Sequence, residues 1–203
     1  MKILILGAGG VGGYFGAKLM RAGADVSFVL RDKRRQLIRE HGLRIETPQD
    51  SFTVFPRCLG SQELAPDYDL IMLAPKAYDL DDALASIAGA SGKGALLPFL
   101  NGLNHIDLLD QRFGRQRVMG GVAHIAAMLT ETGAVRRLSD LHSLTVGPRH
   151  AGHEALAREF IALCVGADFD SHYADNIDQV LWDKWGFLAA LAGMTTLCQG
   201  SVG

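Results

Sequence analysis

Residues 3 to 23 constrain this chain more than any other stretch. Ile3–Leu6 is an apolar run of strand length that leads directly into Gly7-Ala8-Gly9-Gly10-Val11-Gly12. Val11, Phe15 and Leu19 then recur every four residues, and Gly23 stands where such a helix would stop. Strand, glycine turn and helix are the context in which G-x-G-x-x-G binds a dinucleotide. In that role Gly7 permits the tight turn, Gly9 lets a pyrophosphate approach the backbone, and Gly12 lets helix and strand pack closely. The helix start adds free N–H groups and partial positive charge, to which Gly10 and Val11 contribute. With 24 glycines in the chain the pattern alone is weak, and its position after an N-terminal strand is what makes it informative.

Composition excludes other classes. Twenty basic residues against 22 acidic ones leave no cationic excess, which argues against a nucleic-acid partner. No cleavable leader is visible, and the nearest apolar stretch to a membrane span, 186–198, is short and rich in Gly and Thr. A cytoplasmic protein without a membrane partner is expected. Cys58, Cys164 and Cys198 are odd in number and form no C-x-x-C, so they read as reduced, buried thiols. No metal site is expected, because Arg149-His150-Ala151-Gly152-His153 lacks a third ligand.

Further along, Asp25–Leu30, Tyr68–Ala74 and Gly94–Leu100 read as buried strands, and helical patterns cover 79–87, 103–113 and 154–164. Short exposed strands are expected at 43–45 and 52–55, a glycine-rich strand at 118–128, a hairpin from 134–138 and 143–146, and an edge strand at 169–173. Pro98 fits poorly in a central strand. Alternating strands and helices predict an α/β fold, a Rossmann-like doubly wound, mainly parallel sheet with the hairpin as an antiparallel addition. From Asn176 a long helical run has no strand after it. The expected organisation is a nucleotide-binding domain over 1–170 and, over 171–203, the first helix of a truncated all-α domain.

In such sheets the ligand lies at the carboxyl ends of the strands, which picks out Gly7–Gly12, Arg31, Lys76 and Asn101. NAD-binding folds usually carry a carboxylate at the end of the second strand to accept from the ribose 2′-hydroxyl. Here Arg31 stands there, with Lys33, Arg34 and Arg35 behind it. A guanidinium suits a 2′-phosphate, so NADPH is expected over NADH. Asp32 competes as an NAD carboxylate, although it also suits an N-cap.

Lys184 lies on the apolar face of the late helix: Ile177, Val180 and Leu181 precede it, and Phe187, Leu188 and Leu191 follow, all at helical spacing. Such a lysine either snorkels to water or is held in a cleft. In a cleft, burial lowers its pKa and suits it to donate a proton to a carbonyl oxygen. Lys76 alone reads as a surface residue, and Asn101-Gly102 alone as a turn; their shared position at the strand ends raises both.

The chain resembles the ketopantoate reductase (2-dehydropantoate 2-reductase) family. The resemblance rests on GAGGVGGYFGAKL, Arg31, Leu73-Ala74-Pro75-Lys76-Ala77-Tyr78-Asp79, Leu100-Asn101-Gly102-Leu103, Gly120-Gly121-Val122-Ala123-His124, Thr145-Val146-Gly147-Pro148 and Leu181-Trp182-Asp183-Lys184. It implies NADPH-dependent reduction of a small 2-oxo acid to a 2-hydroxy acid, and leaves room for a homodimer. By motif it makes Lys184 the proton donor, sets Asn101 against the nicotinamide ribose and substrate, brings Lys76 to the cofactor and lines the nicotinamide end with Ala126. Two departures follow. Leu188 and Ala192 stand where ketopantoate reductases carry substrate-facing asparagines, which implies a paralogous, more apolar substrate. The family's late acidic residue and serine lie beyond the residues given, so a non-catalytic NADPH-binding module is the alternative.

Overall fold

The computed structural model describes residues 1–90 and 92–200. The last three residues, which the sequence assigns to the helical unit, lie outside the described residues. Strand β1 (Lys2–Leu6) runs into helix α1 (Gly10–Arg21), followed by β2 (Asp25–Val29), α2 (Asp32–His41), β3 (Leu43–Glu46), β4 (Ser51–Val54) and β5 (Arg57–Leu59). Then come β6 (Leu70–Leu73), α3 (Leu80–Ser86), β7 (Ala95–Pro98), α4 (Asn104–Phe113), β8 (Gly120–Leu129), β9 (Val135–Gly147), α5 (Glu154–Cys164), β10 (Asp170–Tyr173) and α6 (Ile177–Cys198).

The first sheet is parallel throughout, in the order β5-β2-β1-β6-β7. Its strands are apolar on both faces because both faces are covered. Ile3 and Ile5 of β1 point into one cluster with α1 and α5; Leu4 and Leu6 point into another with α3 and α4. Pro98 is accommodated because β7 is the edge strand and Pro98 its last residue.

A second, mixed sheet has the order β10-β9-β3-β4, with β8 on the other side of β9. The hairpin expected from 134–138 and 143–146 is instead one strand, β9, and the hairpin is formed by β8 and β9 with its turn at 130–134. The register jumps from Ile125↔His142 to Ala127↔Arg137, so residues 138–141 bulge opposite Ala126. That bulge breaks the alternation of the sequence and imitates a turn.

Helix α1 is clamped between the two sheets. Gly13, Tyr14, Phe15, Gly16, Ala17, Lys18 and Leu19 are all buried, which is why small residues crowd this helix. The buried Lys18 ammonium is paired with Asp168, as a buried charge requires. At the other end of the chain, Arg149 is 4% exposed and holds α6 in place, donating to Asp110 on α4 at 2.7 and 2.9 Å and to Asp178 on α6 at 2.9 Å.

Candidate functional site

The carboxyl end of β1 delivers the glycine loop to the top of the parallel sheet. Gly7 has φ +98°, a conformation that side chains rarely adopt. A Cβ on Gly12 would lie 2.2 Å from the Gly7 carbonyl oxygen, whereas one on Gly9 would meet nothing within 4 Å. The loop is therefore tight toward the protein and open toward solvent. Helix α1 starts with the bond from Gly13 N to Gly9 O at 2.8 Å, so the amides of Gly10, Val11 and Gly12 are left for a ligand. No acidic residue occupies the first turn. This cradle fits a dinucleotide pyrophosphate.

Beside it lies a cavity of about 950 Å³, lined by Gly7, Ala8, Gly9, Arg31, Arg35, Glu63 and Asp79 among others. Arg31 is exposed and donates to Asp79 at 2.8 Å. That pairing holds its guanidinium above the ordinary arginine value. Arg35 donates to Glu63 at 2.6 Å and to Asp32 at 2.7 Å. Asp32 is thus not the N-cap: Arg31 holds that position through its backbone, with no side-chain cap, and Asp32 sits one residue later in the first turn. Arg34 turns inward, donating to the carbonyls of Ala8 at 2.9 Å and Gly133 at 2.6 Å. It ties α2 to the glycine loop and to the β8–β9 turn. The sequence marks 33–35 as basic, but which arginine turns inward depends on where β9 lies.

The second half of the site gathers along β8. A Cβ on Gly10 would come within 2.9 Å of the Ala127 oxygen, so the helix start abuts this strand. Ala126, exposed at the bulge, is the preceding residue. Lys184 reaches the same strand from α6, donating to Ala123 O at 2.9 Å. It is part-buried, and burial holds its pKa below the ordinary lysine value. Among the described residues no carboxylate pairs with it. Its stripe on α6 continues through the part-buried Leu188 and Leu191, while Ala192 and Phe187 are exposed.

Asn101 is exposed just past β7, three residues before α4 begins. His105 in the first turn of α4 is 5% exposed, and its Nε2 has no partner. Burial, then the charges of Lys184 and Arg149, pushes it down to about 4. His124 is likewise lowered by burial and by Lys184. Sequence reasoning missed His105; its helical position gave no signal beyond a lone histidine. Lys76 is exposed after β6, and its carbonyl accepts from Asp79 N at 2.9 Å. Lys76, Asn101, Ala126 and Lys184 all stand outside the 950 Å³ cavity, which covers only the loop and the Arg31 corner. Cys58 and Cys164 are buried, but Cys198 is exposed on α6.

A parallel sheet that carries a glycine loop at its carboxyl ends defines a Rossmann-like nucleotide-binding protein. Residues 3–151 match the family described as ketopantoate reductase PanE/ApbA, and the chain belongs to that family. It is 31% identical to "Uncharacterized oxidoreductase YkpB" of Bacillus subtilis (strain 168), covering all of this chain and 67% of that one. It is 30% identical to a 2-dehydropantoate 2-reductase of Pyrococcus abyssi (strain GE5 / Orsay), covering 91% of this chain and 60% of that one. The chain thus spans roughly two thirds of these relatives. Among solved structures it resembles a ternary complex of D-mandelate dehydrogenase with NADH and anilino(oxo)acetate. The TM-score is 0.85 at 26% identity, over 98% of this chain and 65% of that one. No helix of the described residues is long and apolar enough to cross a membrane.

Proposed function

We propose that this chain binds NADPH at the glycine loop and carries part of a site that reduces a 2-oxo acid to a 2-hydroxy acid. The substrate is 2-dehydropantoate (ketopantoate) or a paralogous, more apolar acid. The observation that carries this proposal is strand β8, which Gly10 abuts at Ala127 and Lys184 grips at Ala123 O, four residues away. At strand rise this is roughly 13 Å, which suits one ligand lying along the strand from phosphates to reacting carbonyl.

When bound, the nicotinamide supplies hydride to the carbonyl carbon. The rest falls to the chain's own residues. Arg31 meets the 2′-phosphate of the adenosine half. Lys76 contacts the cofactor from the end of β6, Ala126 lines the nicotinamide end, and Asn101 contacts the ribose and the substrate. Lys184, as an ammonium, gives its proton to the carbonyl oxygen. Its lowered pKa brings donor and working pH closer together. Leu188 and Ala192, one and two turns beyond Lys184, offer no hydrogen bonds and favour an apolar substituent. The D-mandelate dehydrogenase relative, whose name denotes an aryl 2-hydroxy acid, fits that preference. The same proposal has α6 open a helical substrate unit, its Trp182, Phe187, Met194 and Leu197 exposed. The division expected at 170/171 falls inside β10, whose four residues pair with β9, so that strand stays with the nucleotide-binding unit.

The test is NADPH oxidation by the purified protein against ketopantoate, branched 2-oxo acids and phenylglyoxylate, beside Lys184→Ala. Turnover that Lys184→Ala abolishes supports the reductase. Tight NADPH binding with no oxidation of any substrate favours a non-catalytic sensor, the alternative to which Leu188 and Ala192 point.

A further inference from the structure

We infer that Asp79 is a specificity-determining residue that shares Arg31 between two cofactors, so that the site accepts NADH as well as NADPH and its preference for NADPH is held down. This deepens the nucleotide-binding proposal above and rests on it.

Arg31 follows β2 and Asp79 follows β6; β1 lies between those strands in the sheet. Their 2.8 Å ion pair therefore crosses the end of β1, where the glycine loop begins. Both residues line the same cavity as Gly7, Ala8 and Gly9. The neighbouring arginines are committed elsewhere: Arg34 to the Ala8 and Gly133 carbonyls, Arg35 to Asp32 and Glu63. Arg31, 72% exposed, is the arginine of this corner that is free to turn toward a ligand.

A 2′-phosphate brings a charge of about −1.5 to −2 into a cavity that Asp32, Glu63, Asp79 and Asp82 also line. The bond to Asp79 takes a donor of Arg31 Nη2, so a phosphate gripped bidentately through that nitrogen competes with Asp79, and the carboxylate then faces the phosphate. NADH asks for no such exchange. Asp79 keeps Arg31 and accepts from the ribose 2′-hydroxyl, the role that a carboxylate at the end of the second strand fills in NAD-binding folds. In this fold the basic group comes from β2 and the carboxylate from the loop after β6. The sequence around residue 31 offers Asp32 for the second role, but Arg35 donates to Asp32 at 2.7 Å, and the carboxylate that meets Arg31 comes from 48 residues further on.

The experiment is calorimetric titration of the wild type, Asp79→Asn, Arg31→Ala and the double variant with NADPH, NADH, adenosine 2′,5′-bisphosphate and ADP. The two adenosine ligands isolate the 2′-phosphate from the nicotinamide end and need no turnover. Wild type is expected to bind both NADPH and NADH. Asp79→Asn is expected to tighten NADPH and the bisphosphate by about three- to fivefold, the scale of one released surface pair. It is also expected to weaken NADH by a similar factor, the scale of replacing an ionised acceptor of the 2′-hydroxyl bond with a neutral amide oxygen. In the Arg31→Ala background the gain for NADPH disappears. Equal effects of Asp79→Asn on both cofactors, or a gain for NADPH that survives without Arg31, would overturn the inference while leaving nucleotide binding intact. A wild type that binds none of the four ligands overturns the nucleotide-binding proposal itself.

Discussion

Gly12 and Gly9 belong to the same fingerprint, yet the structure assigns them opposite physical roles, and alanine separates the two. A Cβ at Gly12 would sit 2.2 Å from the Gly7 carbonyl oxygen, with Ala74 Cβ and Ile5 Cγ2 each at 3.1 Å. Relief requires the Gly7 carbonyl to move by about an ångström, at a residue held at φ +98°. Overpacking of this kind costs about 1–3 kcal/mol, and a backbone obstacle argues for the upper end. The better helix propensity of alanine returns at most about 1 kcal/mol. The net loss is about 2 kcal/mol, which lowers Tm by roughly 4–8 °C in a chain of this size. Gly9→Ala meets no protein atom within 4 Å. Its reduced unfolded-state entropy and its poorer N-capping nearly cancel, so Tm stays within about 2 °C. Both variants should lose NADPH affinity: Gly12→Ala through a displaced loop, Gly9→Ala through a methyl group in the pyrophosphate's place. Calorimetric melts with and without NADPH read both effects. The reasoning is refuted if Gly12→Ala melts at or above wild type, or if Gly9→Ala is as destabilised as Gly12→Ala.

Three further outcomes are expected. Lys184→Met should lower turnover by about 10²–10⁴, the scale of a lost general acid, while raising Tm at neutral pH. The folded-state pKa of Lys184 is depressed, so its charge opposes folding below that pKa. The Tm advantage of the variant should shrink as pH rises toward 10.5, where wild type sheds the proton in both states; a gain independent of pH contradicts this. His105 falls from 6.5 to about 4 on folding, so the unfolded chain binds more protons between those values and stability drops as pH falls through them. The drop attributable to this group is about 2–3 kcal/mol by pH 4, and denaturant melts of His105→Gln against wild type across that range should show it missing. Arg34→Met should leave the Ala8 and Gly133 carbonyls without their guanidinium, costing about 1–3 kcal/mol and weakening NADPH binding; thermal melts and a titration check both.

Much of the fold was legible because its signals are local. Ile3–Leu6, Leu70–Leu73 and Ala95–Pro98 are unbroken apolar runs, and a strand covered on both faces requires such a run. The glycine loop declared itself because one backbone conformation and two close approaches admit little else. Periodicity was a weaker guide in α1 and α6. In α1 it revealed one apolar face, whereas two sheets bury the helix all round. In α6 it grouped Phe187 with Lys184, whereas Phe187 is 64% exposed. The bulge at 138–141 misled it again, by dividing one long strand into two.

The amino-acid order by itself determined where strands end and which side chains stand there: Gly7 to Gly12, Arg31, Lys76, Asn101. Those follow from chain neighbours within a few residues. Only the tertiary structure decided what each of them faces. It gave Arg31 the carboxylate of Asp79, 48 residues away, turned Arg34 rather than Arg31 or Arg35 into the loop, and brought Lys184 to Ala123, 61 residues upstream. The physical reason is that hydrogen bonds and charges act over a few ångströms of space regardless of separation along the chain. Which groups come within that range is set by the packing of two sheets around α1.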